Sequence, residues 1–149
     1  MKQPTNYMEW CALFDEIAAS PRDEEYIEAV QKGSIAWSSG VAERFVNSSA
    51  EMIRRRINAA QDTYQKQTRN ARGNLGLIGH ALQVLKKEYQ YAYDLAKALP
   101  IPEPYHGQIA KSVLDQASNA DKSLTESAKA DRTGHLSSAV RNAALGKLK

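Results

Sequence analysis

The chain has 149 residues, of which 42% are hydrophobic and 25% charged, and a net charge of +3; this is enough for one water-soluble domain with its own core. Its single cysteine, Cys11, excludes an intrachain disulfide and is typical of a reducing compartment. No apolar run follows Lys2, and the most apolar stretch, "NLGLIGHALQVL", is about half the ~20 residues that cross a bilayer. We therefore expect a cytoplasmic protein without a secretory signal or a membrane partner.

Two helices are predicted at the beginning of the chain. The first follows Thr5 or Asn6 as its cap, and its apolar positions recur at helical spacing: Trp10, Leu13, Phe14 and Ile17. The second lies in "SPRDEEYIEAVQKG". There Ser20 is the expected N-cap, Pro21 fits the first turn because its missing N–H has no partner in a helix start, and Gly33 is the expected left-handed stop.

The next two predicted helices are separated by a short break. Ser34 is the expected cap of "IAWSSGVAERFV", in which Gly40 weakens the helix by about 1 kcal/mol relative to alanine. A longer helix is expected to begin near Ser48 or Ser49 and to run to about Thr68. Its apolar stripe consists of Ile53, Ile57, Ala60 and Tyr64.

The strongest helical pattern follows a predicted break at "RGNLG". Between residues 75 and 99, apolar side chains alternate in steps of three and four, namely Leu75, Ile78, Leu82, Leu85, Tyr89, Ala92, Ala96 and Leu99. The stripe is widened by Leu77, Ala81, Val84, Tyr91 and Leu95, as in a helix bundle. The prolines of "LPIPEP" then predict a rigid turn. A second long helix, residues 105–130, should return antiparallel to the first.

Residues 131–149 are expected to form a last amphipathic helix or a loosely packed tail. No strand, internal repeat or domain linker is predicted. The sequence therefore favours an all-α, single-domain bundle of five or six helices over residues 1–149, built on a long antiparallel helical hairpin.

The residues that could carry catalysis or bind metal are few and scattered. The single Glu-x-x-His pair, Glu103 and His106, lacks the second pair and the extra carboxylates of a di-metal site, so we expect no metal and no cofactor. Cys11 is interpreted as a small buried hydrophobic residue rather than a nucleophile. The tyrosines of "EYQYAYDL" could stack on bases, but core packing is favoured for them. We expect no catalytic residue.

The charge distribution is the feature that raises a binding hypothesis. Residues 1–50 carry a net charge of −4, residues 51–100 carry +5 and residues 101–149 carry +2. Between Phe45 and Lys87 the acidic residues are Glu51 and Asp62 alone. A basic surface could combine the region of residues 54–72 with the C-terminus, through Arg54, Arg55, Arg56, Arg69, Arg72, Arg141, Lys147 and Lys149.

The arginine triplet does not form one face. Successive residues on a helix are turned by about 100°, so Arg55 is expected to point away from the stripe of Ile53 and Ile57, with Arg54 and Arg56 at its two edges. A solvated helix exterior is therefore favoured over a phosphate-binding surface. The first function hypothesis is a non-enzymatic interaction protein, an adaptor or inhibitor, that docks on a protein partner or on itself. The alternative is a nucleic-acid-binding accessory protein.

Overall fold

The computed structural model of the protein describes residues 2–102, Tyr105, residues 108–129 and Leu148. Over that part of the chain it contains five helices and no strand, which confirms the predicted all-α bundle. The helices are α1 (Tyr7–Ala19), α2 (Glu24–Lys32), α3 (Ser39–Asn70), α4 (Leu75–Ala98) and α5 (Gln108–Lys129). The prediction for residues 131–149 lies outside the described residues, apart from Leu148, which packs against the core.

The first two helices begin with different caps from one another. Asn6 accepts from the N–H of Glu9 at 2.9 Å, so it is the cap of α1. The predicted Ser20 cap of α2 is wrong, because the Asp23 carboxylate takes that role by accepting from the N–H of Glu25 at 2.9 Å. Ser20 instead ends α1, and its hydroxyl accepts from Tyr26. Pro21 consequently lies in the connection before α2 rather than in its first turn.

Gly33 is required by packing and not by a left-handed turn. Its φ is −67°, so the predicted left-handed stop is wrong. A Cβ at this position would lie within 3.0 Å of two ring carbons of Trp10 and of the Pro4 ring. The neighbouring Ser34 carbonyl accepts from the Trp10 indole at 2.8 Å. Glycine therefore allows the connection after α2 to lie directly on the buried indole.

The two helices predicted on either side of Asn47 are a single helix, α3. It begins after Ser38, whose side chain accepts from Val41 at 3.2 Å, so the predicted Ser34 cap is wrong. The polar pair Ser48–Ser49 does not break the helix. Ser49 is fully buried and its hydroxyl donates to the carbonyl of Val46, which gives the polar atom a partner inside the core. The apolar face therefore continues through this point.

The predicted break after α3 and the helical hairpin are confirmed. Arg72 has a φ of 48° and Gly73 a φ of 83°, so two left-handed residues turn the chain into α4. A short connection joins α4 to α5, and Lys86 forms an ion pair with Asp121, so the two helices are antiparallel. The apolar stripe of α4 is buried from Leu82 onward. Its beginning is not, because the described elements leave Leu75 and Leu77 uncovered.

The helices α3, α4 and α5 pack on one another, and α1 and α2 form a shorter layer on the α3–α4 pair. In α4, Lys86 contacts α5 while Glu88 contacts the N-terminal layer, and the two positions are about 200° apart on a helix. The α1–α2 layer and α5 thus lie on opposite sides of the pair. The layer runs along α3 from Ser48, which bonds Tyr7, to Arg56, which bonds the last carbonyls of α1. Beyond Arg56, none of the other helices in the described part of the chain covers this side of the pair.

Candidate docking surface

The structure separates the arginine triplet into one buried and two surface residues. The side chain of Arg56 is only 6% exposed. Its guanidinium donates to the carbonyl of Ile17 at 2.6 Å, to that of Ser20 at 2.8 Å and to the Glu88 carboxylate at 3.0 Å. Since a helix C-terminus leaves carbonyls without partners and carries partial negative charge, a cation is well placed there. Arg56 therefore lies inside the protein, not at the edge of a surface patch.

Further contacts tie this buried cation to α2 and α4. Glu88 also accepts from Arg22 at 3.0 Å, so two guanidiniums share one carboxylate. The Arg56 guanidinium lies 4.7 Å from the centre of the Tyr91 ring. The Tyr91 hydroxyl donates to the backbone carbonyl of Asp23 at 2.9 Å, and burial raises the pKa of this tyrosine above its usual value. These contacts fix the end of the α1–α2 layer against α3 and α4.

Arg54 and Arg55 are surface residues with acidic neighbours. Each side chain is about half exposed, Arg54 pairs with Glu51 one turn earlier, and Arg55 reaches Asp15 of α1 at 3.3 Å. Arg55 is exposed, as expected, although its guanidinium points toward α1. Because both charges are paired, this part of α3 presents little unbalanced positive charge.

The end of the α3–α4 hairpin carries three exposed basic residues. Lys66, Arg69 and Arg72 are exposed, and within the described part of the chain their side chains form no ion pair. Arg69 and Arg72 are thus brought together at the turn, whereas Arg141, Lys147 and Lys149 lie outside the described residues. Lys66 was not among the residues predicted for a basic site. Its place one turn before Arg69 is the signal that could have found it.

The open side of the α3–α4 pair forms a groove of about 340 Å³. It begins at the end of α1, with Arg56 and Glu88, and its walls are made mainly of small side chains. Five of its lining residues are alanines, namely Ala18, Ala19, Ala59, Ala60 and Ala81. Steps of three and four residues place Arg56, Ala60, Thr63 and Gln67 on one face of α3, and Leu77, Ala81, Val84 and Glu88 on one face of α4. Each row is about 17 Å long at 1.5 Å per residue.

Leu77 is an exposed apolar side chain next to this groove. Its exposure is 56%, and it lies one turn before Ala81 on the same face of α4. Leu75 is also exposed, at 44%, but its position in the helix is about 160° away from that face. The sequence pattern placed both leucines in the core, since periodicity identifies an apolar stripe and not the length of the element that covers it. The row of alanines in α3 and α4 is the signal for a groove.

Two of the tyrosines that could stack on bases are buried in the structure. Tyr89 and Tyr91 are buried, as the core interpretation expected, so their rings are not available for base stacking.

Cys11 is only partly buried, which corrects its expected placement in the core, because it lies on the side of α1 next to Asp15. Among the described residues, no three His, Cys, Asp or Glu side chains are grouped as metal ligands would be. Glu103 and His106 are outside these residues.

Comparisons with known proteins give this chain no relative. No protein family, curated protein or solved structure matches it. None of the described helices has the length and apolar character that would let it cross a membrane. The function must therefore be argued from the surface itself.

Proposed function

We propose that this chain is a non-enzymatic helical interaction protein, an adaptor or inhibitor, which docks on a protein partner or on a second copy of itself in the cytoplasm. One observation carries the proposal: five alanines line the α3–α4 groove, and Leu77 is exposed one helical turn beyond the groove residue Ala81. Exposed apolar surface with a polar rim is typical of sites where proteins bind each other. Burial of apolar area there would supply about 25 cal/mol per Å².

The groove supports a helix as the docked element. A helix has a diameter of about 10 Å, and a groove about 17 Å long accommodates roughly three of its turns. The alanines of the walls leave room for the larger side chains of a partner, as in other helix-in-groove contacts. Thr63, Gln67 and Glu88 supply polar atoms at the margins of the same groove.

The test is capture of binding partners from native lysate, with two matched variants. Leu77→Glu places a charge at the groove, while Leu75→Glu places the same charge two residues away on a different face. We expect the parent and Leu75→Glu to retain the same partner in the presence of nuclease, and Leu77→Glu to lose it. Equal capture by all three proteins would contradict the proposed surface.

A second candidate function is nucleic-acid binding, and it is favoured by one specific observation. Lys66, Arg69 and Arg72 form an exposed basic group without acidic partners in the described part of the chain. Binding through this group would be independent of sequence, because phosphate contacts carry no base information. The slope of log affinity against log salt should shrink by ~0.9 for each duplex phosphate contact that is removed.

The matched variants for this candidate use the two kinds of surface arginine. Replacing Lys66, Arg69 and Arg72 with glutamine should weaken binding to mixed-sequence DNA and RNA and reduce the salt dependence. Replacing Arg54 and Arg55 with glutamine should change the affinity and its salt dependence less, because the charges of these two arginines are already paired. Absence of binding by the parent at low salt would eliminate nucleic acid as a partner.

A further inference from the structure

The α1–α2 layer and the open groove are two halves of one side of the molecule. The layer covers the α3–α4 pair up to Arg56 and Glu88, and the groove begins at the same two residues. The last residues of α1 and the turn after them, Ala18 to Pro21, form the end wall of the groove. Within the described part of the chain, this side of the protein therefore has a step: the α1–α2 layer is the raised half and the groove is the vacant half.

The raised and vacant halves have matching lengths. Tyr7 pairs with Ser48, and Asp15 pairs with Arg55, so α1 runs parallel to α3. Along the outer face of α1, the eleven residue-to-residue steps from Met8 to Ala19 span about 17 Å. The groove rows, from Glu88 to Leu77 and from Arg56 to Gln67, also span about 17 Å.

We infer that the occupant of the groove is a second copy of this chain, in an antiparallel dimer in which the α1–α2 layer of each copy fills the vacant half of the other. This inference rests on the proposed function, since it names the partner of the same groove. A two-fold axis at the step makes the two contacts identical, so the assembly closes at two copies.

The apolar side chains of the two halves meet in this arrangement. Met8 is 81% exposed on α1, and helical spacing places Ala12 and Ala19 on the same outer face. Met8 is eleven residues from the step along α1, and Leu77 is eleven residues from it along α4. The two-fold axis therefore brings Met8 of one copy to Leu77 of the other. These are two of the three large apolar side chains that the described structure leaves exposed.

The formal charges of the two halves are opposite in sign. Residues 2–38, which contain the layer, hold seven acidic and three basic side chains, a net of −4. Residues 58–87, which contain the vacant half, hold five basic side chains and one acidic one; Lys86 pairs with Asp121 on the α5 side, and the remaining four basic and one acidic side chains give a net of +3. Complementary fields of this kind steer association and are screened by salt. In a parallel arrangement of two copies, halves of like charge would face each other, which is unfavourable.

Sedimentation equilibrium of the full chain over a range of concentrations tests the dimer. We expect a reversible shift from the monomer mass of 16.5 kDa to twice that value, with no larger species, and a weaker shift at high salt. Leu77→Glu and Met8→Lys should each weaken dimerisation by roughly tenfold to a hundredfold. Leu75→Glu should leave it unchanged, and circular dichroism should show that all variants are folded.

The double variant M8K/L77E decides whether the two residues meet. In the proposed dimer the introduced ammonium faces the introduced carboxylate, so the double variant should dimerise more strongly than either single variant. Additive losses would overturn the proposed contact. A monomeric parent at all concentrations would overturn the dimer, whether the groove is then covered by residues 131–149 or by another protein. If the parent is monomeric but Leu77→Glu alone loses its partner in the lysate capture, the proposed function is still supported. If Leu77→Glu captures the same partner as the parent, both the dimer and the proposed function are contradicted.

Discussion

Arg56 is a buried cation whose contacts join three helices, and its contribution depends on all of its partners being present. Taking a guanidinium out of water is unfavourable, and the Glu88 carboxylate and two α1 carbonyls offset that penalty. The ring of Tyr91 covers one face of the group at 4.7 Å. Removal of the cation leaves the carbonyls of Ile17 and Ser20 without these donors.

We predict that Arg56→Ala lowers the free energy of unfolding by ~3–5 kcal/mol, as is typical when one partner of a buried ion pair is removed. Arg54→Ala is the matched control two residues earlier on α3. Because the Arg54–Glu51 pair is exposed, its loss should change stability by ~0–1 kcal/mol. Urea unfolding measures both values. Similar midpoints for the two variants would show that the Arg56 network does not hold the layer in place.

Alanine substitutions of the glycines on either side of the α2–α3 connection, Gly33 and Gly40, should change the stability of the protein in opposite directions. Gly33→Ala brings a Cβ within 3.0 Å of the Trp10 ring and of Pro4, so overpacking should destabilise the protein by ~1–3 kcal/mol. Gly40→Ala meets no atom within 4 Å in the first turn of α3, so it should stabilise by ~0.5–1 kcal/mol. Thermal unfolding followed by circular dichroism compares the two. A stable Gly33→Ala variant would mean that the indole can move.

At the scale of the elements, the apolar stripe of α4 has a buried and an exposed part. Leu82 is 1% exposed in the middle of the helix, and Leu82→Ala should lower the free energy of unfolding by ~2–5 kcal/mol because a cavity remains. Leu77→Ala removes the same atoms from a side chain that is 56% exposed, so its effect should be well below that range. Chemical denaturation measures the pair. An equal loss for both would place Leu77 in the core of the folded monomer.

The hairpin and the helical class could be predicted from the sequence, since uninterrupted spacing over residues 75–99 and three prolines determine them. The predicted helix boundaries were less accurate where two neighbouring residues could each serve as the N-cap. Ser20 and Asp23 are both good N-caps, and in the structure Asp23 caps α2 while the Ser20 hydroxyl accepts from Tyr26. The joining of two predicted segments into α3 depends on Ser49 having a buried carbonyl partner, which no local pattern reveals.

The candidate site was less predictable than the fold, because it depends on where the α1–α2 layer ends. Periodicity placed Arg56 at the edge of the core but could not supply Glu88 or the carbonyls of α1, which come from distant parts of the chain. The groove likewise exists only because α1 stops opposite Arg56. Arg69 and Arg72 at the hairpin turn were identified from their charge alone, without knowledge of packing, whereas Lys66 was missed.

At the scale of the whole molecule, the N-terminal layer and the hairpin share one core. Trp10, Phe14 and Phe45 form a cluster with ring centres 4.9–5.6 Å apart, and Trp37 joins Phe45 to Tyr105 in the connection between α4 and α5. Arg56 and Tyr91 add polar links between the same parts. A layer held only by surface contacts would open before the hairpin does.

We therefore predict that the layer and the hairpin unfold in one cooperative transition. Both tryptophans, Trp10 and Trp37, contact Phe45, so their fluorescence reports on the junction of the layer with α3. Far-UV circular dichroism is dominated by the three long helices α3, α4 and α5. The two signals should have the same midpoint in denaturant, since coincident transitions are the mark of a two-state protein. Arg56→Ala should move both midpoints together. An earlier change in fluorescence would show that the layer unfolds first, and that the open side of α3 and α4 can extend over its whole length.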